Sequence, residues 1–325
     1  MGGLIGVIGG SGLYELEGFE EAREVRVATP FGEPSDAYRV GTFHGRPLAF
    51  LPRHGRGHRI MPSALNFRAN IFGFKRLGAE WLISASAVGS MREEIRPHDI
   101  VVPDQFFDRT RHRADTFFGE GLVAHVGLAD PTCPDLSRLL ADSAEAVGAR
   151  VHRGGTYLCI EGPQFSTRAE SRIYRSWGVD VIGMTNLPEA KLAREAELCY
   201  ATLALVTDYD VWHATEAAVS VESVVATLLE NVKTAKAILH HAIPHLPEAR
   251  PCRCGHALRD AIITARDRIP AATARRLAPL VARYLGEAVR RSAATPGASR
   301  GGARQPRSGP AAKARPAKGR RRARV

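Results

Sequence analysis

The stretch Leu203-Ala204-Leu205-Val206-Thr207-Asp208-Tyr209-Asp210 joins an apolar run to two carboxylates. A short apolar run bounded by polar residues is typical of a buried strand, and ligands of α/β sheets lie beyond the carboxyl ends of the strands. We therefore expect Asp208 and Asp210 to face a ligand. Because they are two residues apart, their side chains leave the same face of an extended backbone and can converge on a planar target such as the N6/N7 edge of adenine. A surface turn with two solvated aspartates is the alternative.

Strand-like and helix-like patterns alternate on both sides of this stretch. The strands that we predict cover residues 4–8, 37–40, 47–51, 80–84, 100–102, 155–160, 179–183 and 203–206. The helices that we predict cover residues 62–77, 135–148, 170–178, 188–201 and 219–241, while residues 104–121 have the pattern of an irregular loop. This alternation predicts an α/β fold with a twisted mixed, largely parallel central sheet flanked by helices.

Three of the predicted strands end in groups that suit an oxyanion. Ser11 lies among glycines after the first strand, Arg53 and His54 follow the third, and Ser86 and Ala87 follow the fourth. Glycines and small residues let backbone N–H groups approach an anion, and a guanidinium forks two hydrogen bonds to phosphate oxygens, with the histidine as a further donor. For each of these turns taken alone, an ordinary tight turn is the alternative.

His54 and His58 are four residues apart, as in helical metal sites, but Gly55 and Gly57 make a helix unfavourable there. We therefore predict no metal at this position. One site for an oxyanion beside a nitrogenous base accounts for all four strand ends, whereas four unrelated turns would each need a separate explanation.

The composition indicates a globular protein. The chain has 325 residues, of which 44% are hydrophobic, enough for one α/β domain of about 250 residues with additions. No apolar run approaches the roughly 20 residues that span a bilayer, and the N-terminus lacks the regions of a signal peptide. We therefore expect a cytoplasmic protein without membrane contact.

The positive charge is concentrated at the C-terminus. Residues 291–325 contain eleven lysines and arginines and no acid, which equals the whole net charge of +11. The segment is also rich in Ala, Gly, Pro and Ser, a composition typical of disorder. Such basic tails bind nucleic acid weakly and in a salt-dependent way, or only aid solubility. A nucleic-acid-associated protein in which the tail acts and the core is a scaffold is therefore the rival interpretation.

Seven motifs of this sequence resemble those of the 5′-methylthioadenosine phosphorylases of the purine nucleoside phosphorylase superfamily. They follow one another in the order that this family has. They are residues 5–13 (IGVIGGSGL), 29–36 (TPFGEPSD), 53–56 (RHGR), 60–63 (IMPS), 160–171 (IEGPQFSTRAES), 184–185 (MT) and 207–212 (TDYDVW). The resemblance covers about residues 4–245 and implies the nucleoside phosphorylase fold in a homotrimer or homohexamer. It also implies phosphorolysis of 5′-deoxy-5′-methylthioadenosine to adenine and 5-methylthioribose 1-phosphate, with phosphate as co-substrate and no metal or organic cofactor.

The resemblance also implies roles for individual residues. Phosphate is expected at Ser11, Arg53, His54, Ser86, Ala87 and Thr185. The nucleoside is expected at Phe165, Met184, Asp208, Asp210, His125, Val219, Val221 and Val225, and Ser166 and Val221 match positions tied to substrate choice. His125 matches a histidine that reaches into the neighbouring subunit's site. A neutral Asp208 would protonate purine N7 while Asp210 accepts from the 6-amino group, or the two roles are exchanged.

Relatives that act on 6-oxopurines carry asparagine in place of the first acid, because Asn donates to O6 and an ionised Asp does not. The acid pair therefore favours a 6-aminopurine. We divide the chain into a phosphorylase domain (1–250), a helical extension with a Cys-x-Cys motif (251–290) and the basic tail (291–325).

The extension has the pattern of two short helices. Its Cys252 and Cys254 are expected to be free thiols in a reducing cytosol, although a strained disulfide or metal binding with other ligands is the alternative. The other three cysteines, Cys133, Cys159 and Cys199, are scattered in core segments and imply no disulfide framework.

Overall fold

The central sheet has eleven strands within residues 2–10, 12–14, 16–213 and 221–286, which are the residues that this computed structural model describes. The strands are β1 (Leu4–Gly9), β2 (Phe19–Val25), β3 (Tyr38–Phe43), β4 (Arg46–Pro52), β5 (Ala79–Ser90), β6 (Ile100–Val102), β7 (Gln105–Arg109), β8 (Val151–Arg153), β9 (Thr156–Ile160), β10 (Val181–Gly183) and β11 (Cys199–Asp208). The helices are α1 (Phe67–Arg76), α2 (Pro134–Ala146), α3 (Arg168–Ser176), α4 (Asn186–Glu195), α5 (Val221–His245), α6 (Ala271–Arg276) and α7 (Ala278–Leu285).

Strand β5 is the centre of the sheet. Along one edge, β11 pairs with β5 in parallel from Trp81 to Gly89. Two strands share the other edge of β5. β1 pairs with it in parallel only as far as Ala85, and β10 pairs with it antiparallel at Gly89 and Ser90. Residues 86–88 therefore have no partner from a described strand on this edge, and a gap opens between β1 and β10.

The remaining strands extend the sheet outward from these four. β4, β3 and β2 follow β1, β9 and β7 follow β10, and β6 and β8 follow β11. The parallel pairs are β1–β4, β1–β5, β5–β11, β9–β10, β7–β9 and β6–β8. The predicted α/β fold with a mixed, largely parallel sheet is confirmed.

Helices cover both faces of the sheet, as the alternation of patterns predicts. On one face α2 and α5 pack their apolar sides, including Leu140 and Ile238, on the sheet. On the other face Phe72 of α1, Leu192 of α4 and Val281 of α7 belong to a second buried cluster. Each of these side chains is removed from water, which stabilises the fold by about 1.5–3 kcal/mol per residue. No helix among the described residues is both long and apolar enough to cross a membrane.

Strand β5 is longer than the predicted strand at residues 80–84. It continues through the small and hydroxyl-bearing residues 85–90, which have the composition of a loop. The buried hydroxyls have partners, since Ser84 accepts from Arg53, Ser86 contacts the Tyr157 hydroxyl and Ser90 donates to a backbone carbonyl. Buried polar groups that are hydrogen-bonded are tolerated, so the strand runs through the middle of the core.

Three other predicted boundaries are also wrong. The supposed loop at 104–121 contains β7, an edge strand that pairs with β9. The helix predicted at 62–77 begins at Phe67, after a 3₁₀ turn at Pro62–Ala64. The helix predicted at 188–201 ends at Glu195, because the chain turns at Glu197 with a φ of 57° and enters β11 at Cys199. The basic tail at 291–325 lies outside the described residues.

Candidate active site

A cavity of about 490 Å³ lies at the gap between β1 and β10. It brings together eleven of the residues expected at the site: Arg53, His54, Ser86, Ala87, Phe165, Ser166, Met184, Thr185, Asp208, Asp210 and Val225. Gly10 and Gly12 of the loop after β1 also line it. The strand ends that the sequence analysis assigned to an oxyanion and to a base therefore open into one space.

Four of the expected residues are not seen in this cavity. Ser11 and Val219 lie outside the described residues, and Val221 is the first residue of α5 but its side chain is not described. His125 lines a separate cavity of about 380 Å³ together with Lys191 and Glu195. Its backbone N–H donates to the carbonyl of Ala261 at 2.9 Å.

The two acids converge, but not through the extended backbone that we expected. The pairing of β11 with β5 is irregular between Val206 and Asp208, and Asp210 adopts a left-handed φ of 51°. The backbone N–H of Asp210 donates to Asp208 Oδ1 at 2.7 Å. Gly89 makes room for the pair, since a Cβ there would lie 2.8 Å from Asp208 Oδ1. A tight turn against a glycine thus aims both carboxyls into the cavity.

Burial favours a neutral Asp208. The Thr207 hydroxyl lies near two acceptors, the Val88 carbonyl at 3.2 Å and Asp208 Oδ2 at 2.6 Å, and the backbone N–H of Asp210 donates to Asp208 Oδ1. Burial raises the pKa of Asp208 above its ordinary value, although both of these donors lower it. This carboxyl is therefore suited to carry a proton.

Two buried polar atoms of the cavity residues have no hydrogen-bond partner among the described residues. They are Asp210 Oδ2 and Ser166 Oγ. Buried polar atoms are normally paired, so each of these two atoms is available to a polar group of a ligand. Burial raises the pKa of Asp210 as well, although the nearby Ser171 hydroxyl lowers it in part. The orphan oxygen of Asp210 is suited to accept from an amino group of a ligand.

Arg53 binds a buried carboxylate that the sequence analysis did not single out. Its Nε and Nη2 donate to Glu189 at 2.9 and 3.1 Å, and both side chains are almost fully buried. Nη1 donates to the Ala85 carbonyl at 2.9 Å, and Nη2 also donates to Ser84 Oγ at 2.6 Å. We expected a pair of guanidinium N–H groups to hold phosphate, but Nε and Nη2 together bind Glu189 instead. The second N–H of Nη1 has no partner among the residues that the structure describes.

His54 differs from the donor that we expected. Its Nδ1 lies 2.8 Å from the Ile60 carbonyl, which only accepts, so Nδ1 holds the hydrogen. Burial and the neighbouring Arg53 lower the pKa of His54 to about 4. The ring is therefore neutral at pH 7 and its Nε2 has a lone pair. This nitrogen can accept a hydrogen bond but cannot donate one.

A tyrosine that the sequence analysis overlooked supports the same end of the cavity. The buried Tyr157 hydroxyl lies 3.2 Å from Ser86 Oγ. It reaches this position because residue 183 is glycine, where a Cβ would lie 1.9 Å from the hydroxyl. Tyr157 thereby fixes the orientation of Ser86. Neither Tyr157 nor Glu189 carries a local sequence signal, because each looks like an ordinary core position of its strand or helix.

Another part of the cavity wall is apolar and open. Phe165, Val225 and Leu229 line it with 44%, 47% and 56% of their surface exposed. Large apolar side chains gathered at the mouth of a cavity indicate a binding surface for an apolar group. Val225 and Leu229 both come from α5, and Val225 is one of the residues at which the nucleoside was expected.

A larger cavity of about 830 Å³ lies beside Cys252 and Cys254. It is lined by surface arginines and aspartates and contains none of the residues that the motifs single out for phosphate or base. The size of a cavity alone does not identify a catalytic site. The smaller cavity is the candidate active site because the convergent polar groups and the raised carboxyl pKa values lie there.

The mixed sheet of eleven described strands and the cavity with its buried acid pair are those of an enzyme of the nucleoside phosphorylase fold. Residues 4–244 match the model of the phosphorylase superfamily. The chain belongs to this superfamily, and within it to the family of the S-methyl-5′-thioadenosine phosphorylases.

The similarity extends over most of each relative. The S-methyl-5′-thioadenosine phosphorylase of Koribacter versatilis is 58% identical over 283 residues, which cover 87% of this chain and 97% of the relative. A solved methylthioadenosine phosphorylase from an antarctic soil metagenomic library is 47% identical, with a TM-score of 0.81 and coverage of 85% and 98%. The Schistosoma mansoni methylthioadenosine phosphorylase in complex with adenine is 34% identical, with a TM-score of 0.76 and coverage of 80% and 99%.

Proposed function

We propose that this chain catalyses the phosphorolysis of 5′-deoxy-5′-methylthioadenosine to adenine and 5-methylthioribose 1-phosphate. The family membership supports this reaction, and the observation that carries it is the cavity that brings a buried acid pair, groups suited to an anion and an apolar mouth together. The cavity volume of about 490 Å³ suits a nucleoside together with phosphate.

The acid pair acts on the purine. Cleavage of the glycosidic bond leaves negative charge on the departing base, so a proton at N7 stabilises the leaving group. Asp208 supplies this proton, since its burial favours the neutral form, and N7 becomes the better acceptor as the charge develops. Asp210 Oδ2 accepts from the 6-amino group, which gives this orphan atom a partner. If the two roles are exchanged, Asp210 supplies the proton and Asp208 accepts from the 6-amino group.

Phosphate binds at the other end and attacks C1′. Hydrogen-bond donors to phosphate come from the glycine loop after β1, Ser86, Thr185 and the second Nη1 N–H of Arg53. The neutral His54 accepts from the phosphate O–H. The contribution of these groups is positioning, because phosphate is already a competent nucleophile. Glu189 and Tyr157 hold Arg53 and Ser86 in place. No metal or organic cofactor is needed in this mechanism.

Substrate choice depends on two parts of the cavity. Two aspartates rather than an asparagine favour a 6-aminopurine over a 6-oxopurine. The apolar mouth at Phe165, Val225 and Leu229 favours a methylthio group over the 5′-hydroxyl of adenosine, because a hydroxyl placed against apolar side chains loses its hydrogen bonds to water.

The test measures free base released from methylthioadenosine, adenosine, inosine or methylthioinosine, each with and without phosphate. We expect rapid, strictly phosphate-dependent release from methylthioadenosine. Preference for inosine or methylthioinosine would contradict the roles of the acid pair while leaving a phosphorylase. Release without phosphate would indicate a hydrolase, and no release from any of the four nucleosides would contradict the proposal.

We further propose a homotrimer or homohexamer in the cytoplasm that serves methionine and purine salvage. His125 lies away from the cavity of its own chain, which suits the proposed contact with a neighbouring subunit's site. None of the five cysteines is joined in a disulfide, which suits a reducing compartment. Native mass spectrometry tests the assembly, and fractionation of cells of the source organism tests the location.

The basic tail is proposed as a weak, salt-dependent nucleic-acid contact that is separate from the reaction. Deletion of residues 291–325 should abolish any binding of the protein to DNA or RNA and leave phosphorolysis unchanged. Loss of phosphorolysis on this deletion would show that the tail takes part in the enzyme.

A further inference from the structure

Four of the five cysteines lie together, although they come from three distant parts of the sequence. The sulfur atoms of Cys133, Cys199, Cys252 and Cys254 all lie within 4.8 Å of one another. Three of these side chains are buried and that of Cys252 is partly exposed. The sequence analysis placed Cys133 and Cys199 in scattered core segments and expected free thiols. The fold instead builds a compact four-sulfur cluster.

The four sulfurs come from three separate parts of the fold. Cys133 precedes α2 as its N-terminal flanking residue, and Cys199 is the first residue of β11. Cys252 and Cys254 belong to the segment that follows α5, and Cys254 opens a 3₁₀ turn. The backbone N–H of Cys133 donates to the carbonyl of Tyr200 at 2.7 Å, which brings the first two segments together. The cluster therefore lies where the C-terminal extension meets the sheet.

The spacing of the sulfurs suits a tetrahedral metal ion. Four sulfurs that each lie about 2.3 Å from a central zinc ion are about 3.8 Å from one another. The observed upper limit of 4.8 Å and the Cys199–Cys252 distance of 3.2 Å bracket this value. A C-x-C pair is shorter than the usual spacing of two to four residues between zinc ligands. Here the short pair is completed by two cysteines that the fold supplies.

We propose that Cys133, Cys199, Cys252 and Cys254 form a structural tetrathiolate site for Zn²⁺. Binding displaces the thiol protons and oxidises nothing, since each sulfur donates a lone pair to the metal. All four ligands come from the chain, so no position is left for a substrate, as in structural rather than catalytic zinc sites. The cluster does not overlap the residues of the proposed active site.

The surroundings favour the charge of such a site. Four thiolates around Zn²⁺ have a net charge of −2, and Arg194 Nη1 lies 3.9 Å from Cys254 Sγ, within reach of an N–H···S hydrogen bond. Arg194 also donates to the carbonyl of Asp130, which fixes the guanidinium. The cavity beside Cys252 and Cys254 gives a metal ion access from solvent.

The alternative use of four neighbouring cysteines is a pair of disulfides. A disulfide between Cys199 and Cys252 requires an oxidant that removes two electrons and two protons, and a cytosolic glutathione pool opposes this. In addition, each disulfide holds only two of the three segments, whereas one zinc ion holds all three.

The test measures the metal content of the full-length protein, purified anaerobically with a thiol reductant and passed over a chelating resin. We expect one zinc per chain, released by a mercurial thiol reagent. Reconstitution with Co²⁺ should give the thiolate-to-cobalt charge-transfer band and the strong visible bands of a tetrahedral site. Cys252→Ser and Cys254→Ser should each lose the zinc and the cobalt spectrum. They should also lower the melting temperature while leaving methylthioadenosine cleavage measurable.

Cys159→Ser is the matched control, because Cys159 is buried in β9 outside the cluster. It should retain one zinc per chain. A metal-free wild type in which all five thiols titrate after unfolding would overturn the proposal, as would an intact mass lower by one or two pairs of hydrogens, which indicates disulfides. Zinc that persists in Cys252→Ser and Cys254→Ser would also overturn it, because the metal would then be bound elsewhere.

Discussion

Replacement of Gly89 by alanine should damage catalysis much more than folding. The added Cβ would lie 2.8 Å from Asp208 Oδ1 and 3.4 Å from the Cβ of Asp210. An ordinary carbon contact begins at about 3.4 Å, so the Asp208 carboxyl must move by about 0.5 Å. A misplacement of about 1 Å in an active site can lower the rate about 100-fold, and we therefore expect kcat/KM for methylthioadenosine to fall about 10- to 100-fold.

The cost in stability should be small. The new methyl group would also lie 3.2 Å from Ile182 Cγ2, a contact that a slight shift of β10 relieves. We expect the free energy of unfolding to fall by about 1 kcal/mol, at the lower end for overpacked cores. Adenine release followed by chromatography gives kcat/KM, and urea titration gives the stability. The phosphate KM should change little, because the clash is at the base end of the cavity.

A double-mutant cycle separates this mechanism from general damage. In an Asp208→Ala background the carboxyl that the methyl group displaces is gone, so Gly89→Ala should have much less effect on the residual rate. If Gly89→Ala lowers kcat/KM equally in both backgrounds, or if the single variant has wild-type activity, the proposed role of Gly89 is refuted.

Three further predictions concern the buried acids. Asp208→Asn should lower kcat for methylthioadenosine about 10²- to 10⁴-fold and raise the relative rate with inosine. Because burial raises the pKa of Asp208, the wild-type kcat should fall as pH rises through that pKa. The pH profile of the variant should lack this fall. Glu189→Ala should destabilise the protein by about 3–5 kcal/mol in urea titrations, since it leaves the Arg53 guanidinium buried without its carboxylate; an unchanged midpoint would contradict this. Burial raises the pKa of Glu195 to about 7. The stability that this group contributes is therefore complete below its unfolded pKa and declines as pH rises toward 7. Glu195→Gln should flatten the dependence of the melting temperature on pH between pH 5 and pH 8.

Local patterns predicted those parts of the site in which neighbouring residues act together. Asp208 and Asp210 are two residues apart after an apolar run, and Arg53 and His54 end a strand, so their place beyond the sheet follows from the sequence. Their geometry does not follow from it. The turn at Asp210 depends on a left-handed φ and on the space above Gly89, which a pattern of residue types does not specify.

Groups that act across long sequence separations escaped prediction. Glu189 is 136 residues from Arg53, and it is recognisable as the partner only once the fold brings α4 to β4. The same holds for the cysteines, since Cys133 and Cys254 are neighbours only because α2 and the extension meet at the start of β11. Strand β5 was predicted too short because its hydroxyls are satisfied by tertiary partners, which are invisible in the local pattern.

The gap on the free edge of β5 affects how this active site can change during evolution. The space exists because β1 pairs with β5 only up to Ala85 and β10 pairs with it only from Gly89. It is therefore set by the lengths and directions of three strands rather than by any one side chain. Substitutions at Ser86, Thr185 or Asp208 exchange the groups on its wall and leave the space in place. The connectivity of the sheet thus maintains a binding site in which lineages can alter the chemistry at the wall without rebuilding the fold.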